Sequence, residues 1–164
     1  MRRQLLPLAL AALALAACDD ATAPDRPTAL PLSLRVVPAR TSVVSGDTVT
    51  VRLTARNLGS RPVTIDNEFA SCVMGLRLQS PSGEPLETIV FRPASACPPG
   101  GPITLAPGDS LVESGTWEAG ILFGGDVFMS AEPGPWTLHP IVYSGDDALP
   151  GTLDVPATVT VVSR

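Results

Sequence analysis

From Thr48 to Asn57 the chain alternates without a break. Val49, Val51, Leu53 and Ala55 fall on one face of a pleat, and Thr48, Thr50, Arg52, Thr54 and Arg56 fall on the other. A strand with one buried and one wet face follows. Asn57 to Pro62 collects residues that tolerate tight backbone geometry, and Val63 and Ile65 resume the apolar face, which predicts a hairpin at the middle of a sandwich. Leu32, Leu34 and Val36 alternate in the same way before Pro38, which ends a first, edge strand because proline cannot donate to a ladder.

Further along, Met74, Leu76 and Leu78 point inward from a strand over Val73 to Gln79, closed by the turn Ser80-Pro81-Ser82-Gly83. Leu86 to Phe91 reads as a short return strand and Ile103 to Leu105 as another, after an irregular stretch from Arg92 to Pro102. The turn Ala106-Pro107-Gly108-Asp109-Ser110 leads into a strand from Leu111 to Trp117. Trp136 to Tyr143 and Thr152 to Val162 complete the series. On the last of these, Leu153, Val155, Ala157, Val159 and Val161 share a face, and Pro156 marks a sheet edge or a bulge.

Seven or more short strands with regular turns and no helical stretch predict an all-β chain, a single antiparallel β-sandwich of immunoglobulin-like type over residues 32–164. An eight-stranded barrel is the alternative that alternation alone does not separate, although the chain is short for one that encloses a ligand.

Composition adds an address. Met1-Arg2-Arg3-Gln4 is a positive segment, and Leu5 to Ala17 is an apolar run too short for an ordinary transmembrane helix, so residues 1–17 read as an export signal. The ending Leu15-Ala16-Ala17-Cys18 resembles the lipobox of bacterial lipoproteins. The resemblance implies that Cys18 carries a diacylglyceryl group on sulfur, that the leader is cut before it, and that the new amino terminus is acylated. Acyl chains contribute about 0.8 kcal/mol per buried methylene, so several of them hold a protein to the bilayer. Asp19 after the cysteine resembles an inner-membrane retention signal whose rule varies between lineages, which leaves inner against outer membrane open. Residues 18–31 are then the lipidated end and a Pro-rich tether with Pro24, Pro27 and Pro31.

The net charge is −5, and the basic residues are eleven arginines, scattered with no basic run. That argues against nucleic acid as a partner, since phosphate binding needs clustered positive charge. With Cys18 taken by lipid, Cys72 and Cys97 are left as a pair in an oxidising compartment and are expected to form a disulfide. Their spacing fits neither a redox Cys-x-x-Cys nor a zinc pattern.

His139 is the only histidine, on a predicted strand and on the face opposite Trp136 and Leu138. No spacing supplies it with a nucleophile and an orienting carboxylate, so no catalytic residue, cofactor or enzyme activity is expected. Asp126, Asp146 and Asp147 lack the repeated spacing of a calcium loop and read as turn residues, so no metal site is expected. Ile121, Leu122, Phe123, Phe128 and Met129, grouped around Gly124-Gly125, form either a hairpin that completes the core or a protruding apolar loop that docks on a partner.

From Leu32 to Val162 the order of elements resembles the intracellular proteinase inhibitor (BsuPI-type) family of bacterial immunoglobulin-like domains. The likeness is carried by Gly46 to Asn57, by Leu105-Ala106-Pro107-Gly108-Asp109-Ser110 before the strand ending in Trp117, and by Glu132-Pro133-Gly134-Pro135-Trp136-Thr137-Leu138. It implies the sandwich fold, and no inhibitory loop transfers by residue. Two functions follow as expectations. One is a membrane-anchored, non-catalytic module in the cell envelope that binds a protein or envelope component. The other is a protease inhibitor outside the cytoplasm, presenting the Arg92 to Pro102 region to a protease.

Overall fold

A computed structural model describes residues 30–67, 73–86, 91–94, 100–123, 127–144, 147–149 and 151–164. The leader, Cys18, Cys72 and Cys97 lie outside the described residues. In chain order the strands are β1 (Leu30–Pro38), β2 (Ser42–Val44), β3 (Thr48–Asn57), β4 (Val63–Ile65), β5 (Met74–Gln79), β6 (Pro85–Leu86), β7 (Phe91–Pro93) and β8 (Ile103–Leu105). They continue with β9 (Ser110–Glu118), β10 (Gly120–Phe123), β11 (Val127–Ser130), β12 (Gly134–Ser144), β13 (Asp147–Leu149), β14 (Gly151–Val155) and β15 (Ala157–Val162).

Two sheets pack face to face. The first runs β14-β1-β3-β9-β7 and the second β2-β15-β12-β5-β6, with β13 also on β12. The order β1-β3-β9-β7 reproduces the A-B-E-D sheet of an immunoglobulin sandwich, and β15-β12-β5 the G-F-C sheet. The fold is an open sandwich, not a barrel.

The core is what the alternation predicts. Leu32, Leu34 and Val36 from β1, Val49, Val51, Leu53 and Ala55 from β3, and Met74, Leu76 and Leu78 from β5 are all buried between the sheets. Trp117 on β9 and Trp136 on β12 close one end of it, with ring centroids 6.4 Å apart and planes at 47°.

Several expectations need correction. The predicted hairpin of Thr48–Asn57 with Val63–Ile65 does not form, because β1 and β9 occupy both edges of β3 and leave no edge for β4, which pairs with β8. The chain is turned away by Asn57, whose buried side chain organises the corner. Its Nδ2 donates to the carbonyls of Arg61 (2.8 Å) and Leu105 (3.0 Å), and its Oδ1 accepts from the Gly59 N–H at 2.8 Å. Replacing Asn57 by Ala strands two carbonyls and a donor, and urea unfolding is expected to report a loss of about 2–3 kcal/mol.

Leu86 to Phe91 is likewise not one strand. Its two ends belong to different sheets, β6 on β5 and β7 on β9, so the chain crosses from the second sheet to the first.

Thr152 to Val162 is also two strands. β14 lies parallel to β1 in the first sheet, and β15 lies antiparallel to β12 and parallel to β2 in the second. The sandwich is therefore mixed at its edges, not purely antiparallel. Pro156, which has no N–H to give, stands where the strand changes sheets. Val159 and Val161 are buried as expected, whereas Leu153 and Val155 are 53% and 40% exposed.

Pro140 occupies an interior position of β12 for a related reason. It falls between the last pair with β15, Leu138 with Ala157, and the first with β13, Val142 with Leu149, where that side of the ladder is interrupted.

Candidate functional site

The sandwich has two chemically distinct ends. β1 enters beside Asn57, where Leu58 N–H donates to the Pro31 carbonyl at 3.0 Å. The other end gathers the Ser45–Asp47 turn, Ala119, Ala131 and the carboxyl terminus. Gly46, with φ of 83°, lets this turn form in a conformation that other residues rarely adopt. The Gly46 N–H donates to Ala119 O (2.9 Å) and the Ala119 N–H to Asp47 O (2.8 Å). Ala131 N–H also donates to Ala119 O (2.9 Å). Ser45 Oγ donates to Ala131 O at 2.6 Å.

Those bonds clamp the base of the β10–β11 hairpin. Its register sets Ile121 opposite Met129, Leu122 opposite Phe128 and Phe123 opposite Val127. Among the described residues the hairpin pairs with no strand of either large sheet. Met129 is 52% exposed. Gly124, Gly125 and Asp126 lie outside the described residues. A depression of about 450 Å³ beside the hairpin base is lined by Ser45, Gly46, Ser130, Pro133, Ser163 and Arg164. Arg164 reaches Asp47 at 3.4 Å across it.

A second depression, about 260 Å³, opens where β15 has left β12, between that part of the second sheet and β14 of the first. Arg77, Leu78, Gln79, Pro85, His139, Pro140, Ile141 and Asp154 line it. His139 is half-buried, on the face opposite Trp136 and Leu138, with Nε2 3.4 Å from Gln79 Oε1. Burial pushes the Asp154 carboxyl up, while the Gly151 N–H and the nearby His139 draw it back. Among the described residues that line this depression there is no serine, threonine or cysteine. Beside it, Tyr143 lies over Gly75, where a Cβ would come within 2.8 Å of the ring. Burial raises its phenol to about 12, against a smaller lowering by Arg77.

Two polar residues that the alternation did not single out sit inside the fold. Glu113 points inward from β9, and neither carboxylate oxygen has a hydrogen-bond partner among the described residues. Burial raises its pKa, and the facing Val73 and Met74 backbone draws it back by less. The folded chain therefore holds this proton more tightly than the unfolded one. Its contribution to stability is complete below the ordinary carboxyl value of 4.5 and is lost as pH rises through the raised folded value. Denaturation midpoints measured against pH are expected to fall across that window relative to Glu113→Gln. Asn67, 3% exposed, is the other such residue.

Among the described residues no group of three or more His, Cys, Asp or Glu is placed to hold a metal ion. Asp146 lies outside them, and Asp147 opens β13 opposite Ser144. Of the stretch from Arg92 to Pro102, Arg92 and Pro93 belong to β7 and are laddered to β9, while residues 95–99 lie outside the described residues.

No protein-family model matches the chain, and no curated protein does. Solved structures do. Over 82% of this chain it is similar to the alkylpurine DNA glycosylase AlkC of Pseudomonas fluorescens, at 11% identity and a TM-score of 0.49. Over 80% it is similar to the β-glucosidase EmGH1 of Erythrobacter marinus, at 18% identity and 0.44. A CARDB domain of the PF1109 protein of Pyrococcus furiosus matches over 81% of this chain and 94% of its own length, at 12% identity and 0.44. The chain spans only 31% of the glycosylase and 16% of the glucosidase. At these values the likenesses carry nothing about activity or binding.

Proposed function

We propose that this chain is a lipid-anchored envelope protein whose immunoglobulin-like sandwich acts without catalysis, binding a protein partner through the β10–β11 hairpin. The observation that supports this reading is the placement of the hairpin. It carries Ile121, Leu122, Phe123, Phe128 and Met129, stands outside both sheets on a hydrogen-bonded base, and lies at the end of the sandwich opposite the entry of β1. The sandwich is about ten strand residues long there, roughly 30 Å, so a tether attached before β1 leaves the hairpin free of the anchor. Apolar residues presented on a hydrogen-bonded base at the end of a domain are a common form of protein contact surface, and Met129 is exposed.

The test is Phe123→Ser with Phe128→Ser in the whole chain, beside a photocrosslinker at Met129 in intact membranes. The expected result is an unchanged unfolding midpoint and loss of the crosslinked partner. A large drop in the midpoint means that the hairpin belongs to the core and sinks the reading. If the same chain slows a protease in a panel assay, the inhibitor function replaces it. Cys18→Ser is expected to move the protein from the membrane to the soluble fraction.

A further inference from the structure

The arginines that are scattered in sequence are gathered by the first sheet. Arg35 on β1 and Arg52 and Arg56 on β3 are exposed on its outer face, where Arg35 stands opposite Thr54, Arg52 opposite Val37 and Arg56 opposite Ser33. Arg35 is thus the diagonal neighbour of both others, at roughly 7–8 Å between backbones. None of the three makes an ion pair among the described residues. Glu113 on β9 and Asp154 on β14 fall opposite the inward-facing Leu53 and Leu34, on the other side of the pleat. Glu118 is opposite Thr48, and Asp109, before β9, is occupied by the Ala106 N–H at 3.1 Å.

Exposed aliphatic groups share the face. Val37, Val112, Leu153 and Val155 are 40–53% exposed, four of the seven exposed large apolar residues among those described. Val155 lies opposite Arg35, Leu153 opposite Ser33, and Val112 opposite Thr54. Positive charge mixed with aliphatic side chains on one sheet face, in a protein of net charge −5, points to an anionic lipid surface and not to bulk electrostatic attraction.

We infer that this outer face, centred on Arg35, Arg52 and Arg56, lies against the anionic phospholipid headgroups of the membrane that holds the chain. The inference rests on the lipid anchor proposed at Cys18 and deepens it by giving the domain an orientation. Cys18 is twelve residues before β1, a reach of about 40 Å when extended, and β1 is itself a strand of this sheet. The face is therefore within the tether's range, and the sandwich lies on its side with the hairpin directed along the membrane.

The test labels arginines with phenylglyoxal on the lipidated chain, reconstituted in vesicles of phosphatidylcholine alone or with phosphatidylglycerol. Modification is read by mass spectrometry. Arg35, Arg52 and Arg56 are expected to react at least about tenfold more slowly on the anionic vesicles, with Arg77 and Arg164 unchanged as exposed controls, and high salt should remove the difference. Equal rates on both vesicles with Cys18 lipidated overturn the orientation and leave the anchor standing. An unmodified Cys18 thiol in the same spectra overturns the anchor instead. Protection in native membranes but not on pure anionic lipid assigns the face to a protein and also overturns the inference.

Discussion

Trp117→Ala is expected to cost about 3–5 kcal/mol, enough to leave the domain largely unfolded at 37 °C if its stability is ordinary. Trp117 is fully buried, and its ring meets Trp136 across the gap between the sheets, so truncation opens a cavity that neither sheet can close. Its indole N–H has no partner among the described residues. Trp117→Phe therefore forfeits volume and no hydrogen bond, and a cost of about 1–2 kcal/mol is expected. Trp136 differs, because its Nε1 donates to the Glu132 carbonyl at 2.9 Å. Trp136→Phe should exceed Trp117→Phe by about 1 kcal/mol, the net worth of one hydrogen bond. Urea denaturation of the four proteins checks the order. If Trp117→Phe proves the costlier of the two, the indole has a hydrogen-bond partner after all.

The local pattern was legible wherever a strand has one dry face and one wet face. Val49 to Ala55 and Met74 to Leu78 carry their burial in the alternation itself. Partner choice was not legible, because it is decided by which edges are already taken. Val63–Ile65 has the same pattern whether it pairs with β3 or with β8, and the competition from β1 and β9 is invisible locally.

Pro156 reads from the sequence as a sheet edge or a bulge within one strand, and the change of sheet it accompanies is not legible there, because a missing N–H does not say where the next ladder begins. The arginine face was hidden for the same reason. Arg35 and Arg52 are seventeen residues apart in the chain and become neighbours only through the β1–β3 register. Glu113 is a polar residue at an inward position, a break in the alternation of β9 that Gly115, also inward, accompanies. That break was the one sequence signal that could have found it.

Reducing or removing the expected Cys72–Cys97 bond should lower stability by about 3 kcal/mol and the melting temperature by roughly 10 °C. Both cysteines lie outside the described residues, but the surrounding chain bears on whether they can meet. Ile65 pairs with Ile103, and two residues further on each arm the Gly101 N–H donates to the Asn67 carbonyl at 2.9 Å. Cys72 is five residues beyond Asn67, and Cys97 four residues before Gly101. From that fixed point five and four residues span at most about 17 and 14 Å, so a bond between the two cysteines is compatible with the described pairing. Beyond them the chain is held again. Tyr143 N–H donates to Val73 O at 2.7 Å, and Ala94 N–H to Ser114 O at 2.8 Å. A link between two arms pinned at both ends mainly restricts the unfolded chain, so its loss should appear as faster and easier unfolding with little change in the native core. The comparison is the oxidised protein against Cys72→Ser with Cys97→Ser, melted with and without reductant. Equal melting temperatures, or a free thiol titrated at either position in the oxidised protein, would show that no bond is there to lose.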